Sequence, residues 1–345
     1  MKEVAKITLY EINKCGLYKF KKDEKPILGD LTDFLEQLEI WAKQPDMFLA
    51  NTCTYAPIGT DDSYKTYCYD IISNSYLTLL TLWIEVPKTK GNKILSVSSK
   101  ATVGNVTVNT ANIKKGDIPG YAAYFLFFKD KNIMATINFD HSMNGRQNLE
   151  KYLTEFISKI SSYAESEVQK DNDGNSLEII KYRKSEDDEA EFLTAYFETR
   201  LVRNKTNIDF LKENFDLIRK IHKHNEIPFF KHENKAYWQK FPTFSSSKTE
   251  ELTAKYSLEM KYRPCSSEEI ETIITDWENS HKATKWEDLG FTVQGKSSPI
   301  WLSGTIARND FEINISRSKD EIVNPNILLT ELNNIKNQIL NLQTS

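Results

Sequence analysis

The run Tyr76-Leu77-Thr78-Leu79-Leu80-Thr81-Leu82-Trp83-Ile84-Glu85 constrains this chain more than any other stretch. Apolar residues at consecutive positions, with no charge before Glu85, suit a strand in the middle of a sheet rather than one at its edge. Its neighbours read as partners. Residues 4–12 alternate loosely and are rich in β-formers, and β-rich runs recur at 48–55 and 64–72. Tyr121 to Phe128 and Asn132 to Phe139 flank Lys129-Asp130-Lys131, the pattern of a hairpin. Two helices are expected beside these strands. Asp30 stands as N-cap before Leu31, Phe34, Leu35, Leu38 and Trp41, and Pro45 closes that segment. Leu149, Tyr152, Leu153, Phe156, Ile157 and Ile160 share a second helical face. Residues 87–120, rich in Lys, Asn, Thr, Ser and Gly, read as a long loop with short strands.

Residues 1–163 thus account for one α+β domain, and the 345-residue chain has length for a second. Between Glu165 and Glu198 there are eleven acids against four bases, so 164–191 is expected to be an acidic linker. A C-terminal α+β domain over 192–345 follows. It opens with a strand at 192–203 and a helix in which Phe210, Leu211, Phe215, Ile218 and Ile221 share a face. A strand at 256–262 leads to the capping-box pattern Ser266-Ser267-Glu268-Glu269 before Ile270, Ile273, Ile274 and Trp277. Runs at 289–294, 299–306 and 310–316 read as a closing meander. Asn324-Pro325 then starts a last helix. In it Leu328, Leu332, Ile335, Ile339 and Leu342 form a narrow 4-3-4-3 stripe, suited to docking on its own domain or to a homodimer seam. The fold class expected is α+β in two domains, each a mostly antiparallel sheet with covering helices.

The chain carries none of the common reaction signatures. With 12 glycines the chain has neither GxxxxGK[ST] nor GxGxxG, and it lacks HExxH, GxSxG and the PCxxC of zinc deaminases. Cys15, Cys53, Cys68 and Cys265 are far apart and read as buried free thiols. His222 and His224 would share a face on a strand, but their segment reads as the end of a helix, where they diverge and serve the helix dipole; His232 would be a distant third ligand. His141, next to Asp140 and Ser142, reads as a turn. Glu259-Met260-Lys261 resembles half of a metal-dependent nuclease strand, without the other half. No catalytic residue, metal or cofactor is therefore assigned, and the chain is expected to be non-enzymatic. The N-terminus has no apolar h-region, and no apolar stretch reaches the length of a spanning helix; a cytoplasmic location is expected.

Charge distribution is the positive clue. The whole chain balances 45 Lys plus Arg against 49 Asp plus Glu, yet Lys88 to Lys131 holds eight lysines and two acids. Residues 200–240 hold ten bases against five acids, with Phe229, Phe230, Tyr237 and Trp238 among them. Lys and Arg contact phosphate, and Ser, Thr and Asn position a backbone without reading sequence. The candidate nucleic-acid contacts are Lys88, Lys90, Lys93, Lys100, Lys114, Lys115, Arg200, Arg203, Lys205, Arg219, Lys220 and Lys223.

A family resemblance points the same way. The opening strand with Tyr10 followed by lysines, the helix from Leu31-Thr32-Asp33-Phe34-Leu35 and the segment Ile118-Pro119-Gly120-Tyr121-Ala122-Ala123-Tyr124-Phe125-Leu126-Phe127 carry it. The strand Ile133 to Phe139 and the helix Asn148 to Ile160 follow in the same order, with a looser likeness at Leu258-Glu259-Met260-Lys261-Tyr262. In these elements the chain resembles the RexA-like phage-exclusion proteins of lambdoid prophages. The resemblance implies a DNA-binding, dimeric sensor of phage infection, signalling to a membrane-protein effector encoded elsewhere. The expected function is a nucleic-acid-binding sensor, for double-stranded DNA, in phage exclusion or antiviral defence. The alternatives are a metal-dependent nuclease using Glu259 and Lys261, or a protein-interaction subunit of a larger complex.

Overall fold

The computed structural model describes residues 2–57, 64–86, 95–109, 113–139, 144–170, 176–203, 205–229, 252–280, 288–296, 298–318 and 322–343. Along the chain run β1 (Lys2–Tyr18), α1 (Leu31–Ala42), β2 (Thr66–Ser73), β3 (Leu77–Glu85), β4 (Leu95–Ser98), β5 (Val108–Asn109), β6 (Asp117–Phe128) and β7 (Ile133–Asn138). Next come α2 (Arg146–Lys159), β8 (Ala164–Lys170), β9 (Ser176–Tyr182), β10 (Thr194–Leu201), α3 (Lys205–Glu213), β11 (Ile218–Phe229) and β12 (Leu252–Lys261). The chain continues with α4 (Ser267–Ser280), β13 (Asp288–Val293), β14 (Ile300–Trp301), β15 (Arg308–Asn314), β16 (Arg317–Ser318), β17 (Ile322–Val323) and α5 (Pro325–Leu340). Every strand pairing among the described residues is antiparallel. The mixed α/β class with mostly antiparallel sheets is as the sequence indicates.

Two compact units form, and their boundaries differ from the expected 1–163, 164–191 and 192–345. Met1–Val202 joins Ala307–Ser345 in one unit, and Arg203–Ile306 makes the other. The reason lies on one edge of β1. Tyr10 to Tyr18 pair with β10, and Lys2 to Thr8 pair with β15, both antiparallel. Between these stretches the Val202 amide donates to the Leu9 carbonyl, and the Leu9 amide donates to the Ala307 carbonyl. The Ala307 amide in turn donates to the Val202 carbonyl at 2.8 Å. β10 and β15 are therefore two halves of one strand position, and residues 203–306 are inserted between them. The expected closing meander divides accordingly, with β15 returning to the large sheet.

The expected linker is not one. β8 and β9 pair from Ala164↔Tyr182 to Lys170↔Ser176, and Tyr182 is buried in the core of the first unit. Its polarity has a local account, since Lys181 pairs with Glu167 at 3.3 Å and Arg183 with Glu165. The turn Asp171-Asn172-Asp173-Gly174-Asn175 lies outside the described residues.

In the first unit the sheet order is β10-β1-β7-β6-β3-β2, and both its faces are covered. Leu77, Leu79 and Trp83 of β3 join Tyr124, Leu126 and Phe128 of β6 in one apolar cluster, with Leu328, Leu332 and Ile339 of α5. Leu80, Leu82 and Ile84 face the other way, with Phe125, Phe127, Phe34 and Leu38 of α1, and Tyr152 and Phe156 of α2. This explains why the run is apolar at odd and even positions, broken only by Thr78 and Thr81. With a period of two, a strand covered on both sides must be apolar at odd and even positions alike. Each fully buried Leu, Ile or Phe contributes about 1.5–3 kcal/mol. The α5 stripe packs into the core of its own unit, with Ile335 and Leu342 partly buried against it.

Helix starts follow their expected caps. Asp30 Oδ1 accepts from the Asp33 amide at 3.0 Å, and Asn324 Oδ1 accepts from the Asn326 and Ile327 amides ahead of Pro325. Ser266 Oγ accepts from the Glu269 amide at 3.2 Å. Among the cysteines, Cys68 is buried, Cys15 and Cys53 are half-buried, and Cys265 is exposed, against the expectation of four buried thiols.

One ion pair ties the start of the first unit to its end. Arg317 Nε donates to Glu3 Oε1 at 2.8 Å and Nη2 to Glu3 Oε2, with both side chains about four-fifths buried, at 18% and 21% exposure. The hydrogen bonds from Arg317, followed by its charge, hold the Glu3 carboxyl below its ordinary range despite partial burial. A depressed carboxyl contributes stability above its unfolded pKa and loses it as pH falls through the lower folded value. Glu3→Gln is thus expected to cost about 1 kcal/mol at neutral pH. In urea titrations the difference from wild type should begin to shrink near the ordinary carboxylate value, about pH 4, and vanish only below the lower folded value.

Candidate nucleic-acid interface

In the first unit, two turns bring lysines together. The turn after β4 carries Lys100, and the turn before β6 carries Lys114 and Lys115. The Ser99 amide donates to the Gly116 carbonyl at 3.1 Å, which holds the turns side by side, and Gly116 sits at φ 93°. Asp117 organises the arrangement, for its Oδ2 accepts from Asn109 Nδ2 at 3.1 Å, the Lys114 amide at 3.2 Å and Ser96 Oγ at 3.3 Å. All three lysines are exposed. Lys88, Lys90 and Lys93 lie outside the described residues.

Arg200 is elsewhere, on β10 opposite Glu11. Arg203 is half-buried in the second unit, where its Nη2 donates to the Ile274 carbonyl at 3.3 Å, a contact that serves packing. Lys205 opens α3, and its side chain lies outside the described residues.

The second unit corrects the helix expected through Ile221. α3 ends at Glu213, and Ile218–Phe229 is a strand. The apolar positions that fitted a helix serve a strand as well, because Ile221 pairs with Met260 on one side and Phe291 on the other. The four-stranded order is β12-β11-β13-β14. Ile221, Leu289, Phe291 and Val293 on one face are buried, as are Ile208 and Leu211 of α3 and Ile270, Ile274 and Trp277 of α4.

The opposite face is polar and aromatic. Register places three rows across it. The first is Lys261, Lys220 and Thr292; the second is Glu259, His222, Gly290 and Trp301; the third is Ser257, His224 and Asp288. His222 and His224 therefore share a face after all. His222 Nε2 lies 2.6 Å from Thr292 Oγ1, and Nδ1 lies 3.6 Å from Glu259 Oε2. No group of three or more metal-capable side chains occurs among the described residues. His141, His232 and His281 lie outside them, as do Phe230, Tyr237, Trp238 and the side chain of Phe229.

Lys220 Nζ donates to Glu259 Oε1 at 2.5 Å, and that hydrogen bond is the main cause of the lowered Glu259 pKa. Glu259 and Lys261 project to the same exposed face, but the carboxylate is paired with Lys220. Arg219 is held by the Asp216 carbonyl and by Gln294 Oε1, each at 2.5 Å. Lys223 is exposed on the other face of β11. Charge in this unit is segregated. Among described side chains the β11–β12 hairpin carries Arg219, Lys220, Lys223 and Lys261 against Glu259, whereas α4 carries Glu268, Glu269, Glu271 and Asp276 without a base.

Trp301 itself carries no site signal in the sequence, yet it lies on this face. Its ring lies over Gly290, where an added Cβ would come within 2.7 Å of it. The His224 ring is stacked against it at 4.1 Å and 30°, and His222 approaches at 5.8 Å. The signal in the sequence was Gly290 two residues before Thr292, a strand position without a side chain.

No protein-family model, no curated protein and no solved structure matches this chain. No helix among the described residues is long and apolar enough to cross a membrane.

Proposed function

We propose that this protein binds nucleic acid, double-stranded DNA foremost, without enzymatic chemistry, as a cytoplasmic sensor in phage exclusion or antiviral defence. The observation that carries the binding reading is the joining of Lys100, Lys114 and Lys115 on two hydrogen-bonded turns. Three exposed ammonium groups on a braced surface, with the nearby Asp117 occupied by local donors, match the spacing-tolerant requirements of phosphate contacts. The defence role rests on the resemblance in element order to the RexA-like proteins, and it brings the membrane-protein effector with it as a proposed partner.

Fluorescence anisotropy of a labelled duplex tests the binding reading. Three phosphate contacts give a log–log salt slope near −2.7, so affinity should fall roughly 40-fold between about 50 and 200 mM salt. A dissociation constant that is micromolar or tighter at the lower salt is expected. Absence of binding there contradicts the reading.

A further inference from the structure

We infer that the polar face of the β12-β11-β13-β14 sheet is a binding site for single-stranded nucleic acid, with unpaired bases stacking on the Trp301–His224 pair. An antiparallel sheet needs only one buried face, and here Leu289, Phe291 and Val293 supply it. The solvated face would ordinarily be short polar and charged side chains. Instead it holds an indole and two imidazoles, each partly exposed, gathered within one or two strand positions of each other. Gly290 is the feature that permits this. Any larger residue would lift the indole off the strand, so the backbone itself forms the floor on which Trp301 lies flat.

The groups around the rings suit a nucleotide chain. Lys220 and Lys261 stand in the row next to Trp301 and His222, with the Thr292 hydroxyl beside them and Ser257 at the far row. Ammonium groups take phosphates, and aromatic planes take bases of any sequence. Bases in a duplex have their faces covered by their neighbours, so a flat aromatic platform selects strands whose bases are free. On this face Lys220 and Lys261 are balanced by Glu259 and Asp288, and Glu259 is paired with Lys220, so stacking rather than net charge carries the affinity.

The inference shares with the proposed function the premise of a nucleic-acid ligand, and the test separates them. The full chain is titrated against labelled oligo(dT), oligo(U) and a duplex of equal length. Wild type is compared with Trp301→Leu and with His224→Ala, the second removing a half-buried ring without opening the core. Loss of one stacked base weakens binding about 10-fold. Both variants should lose this much for single strands while keeping duplex affinity, and the oligo(U) arm reports whether RNA is taken as well. Duplex binding without oligo(dT) or oligo(U) binding, or unchanged single-strand affinity in both variants, overturns the inference and leaves the proposed function standing. Binding of neither form overturns both.

Discussion

Gly120→Ala is expected to destabilise the first unit by about 3 kcal/mol, at the upper end of overpacking substitutions. Gly120 lies on β6 opposite Glu85 of β3 and Leu95 of β4, with strands on both sides. An added Cβ would sit 2.3 Å from the Ile84 carbonyl oxygen and 2.7 Å from Trp83 Nε1. The first neighbour is backbone, so it moves only if β3 moves. The second donates to the Ile118 carbonyl at 3.2 Å and belongs to a fully buried indole, so displacing it leaves a polar N–H without its partner. The unfolding midpoint should fall by roughly 10 °C in a thermal melt. Gly304→Ala is the matched control, since nothing lies within 4 Å of its added Cβ, and a change within about 0.5 kcal/mol is expected.

The combined variant Lys100→Glu, Lys114→Glu, Lys115→Glu is expected to weaken duplex binding at least about 100-fold at low salt and to flatten the log–log salt slope by about 2.7. Each lysine is exposed, so its reversal acts on the ligand rather than on the core. A thermal melt checks that the two turns, held by Ser99, Gly116 and Asp117, remain folded. An unchanged duplex affinity and slope in a folded variant would place the contacts elsewhere.

How far the sequence disclosed these features depends on whether one local rule was enough. β3 and α2 were legible from their apolar patterns alone, and the β6–β7 hairpin, α1, α4 and α5 from an apolar pattern joined to a turn or cap signal that the structure uses. Residues 218–224 were not. Ile218 and Ile221 fit a helix continuing from Phe210, and only the pairing with β12 and β13 decides for a strand. The acidic tract misled for a related reason. Glu165 and Glu167 read as linker charges, whereas Arg183 and Lys181 meet them across a hairpin. The insertion of 203–306 into one strand position left no local mark at all, since β15 begins at Arg308, 107 residues after β10 ends at Leu201, and the two come together along β1. Of the candidate site, Lys100, Lys114 and Lys115 were legible as charge, but their convergence required the fold. Trp301 was hidden because an aromatic residue in a strand reads as core until register places it on the solvated face.

Amide hydrogen exchange of the full chain, with and without a duplex at low salt, tests the central claim most directly. The account predicts slowed exchange at 98–101 and 113–117 when DNA is present. Exchange unchanged in both turns, under conditions where anisotropy reports saturation, would contradict it.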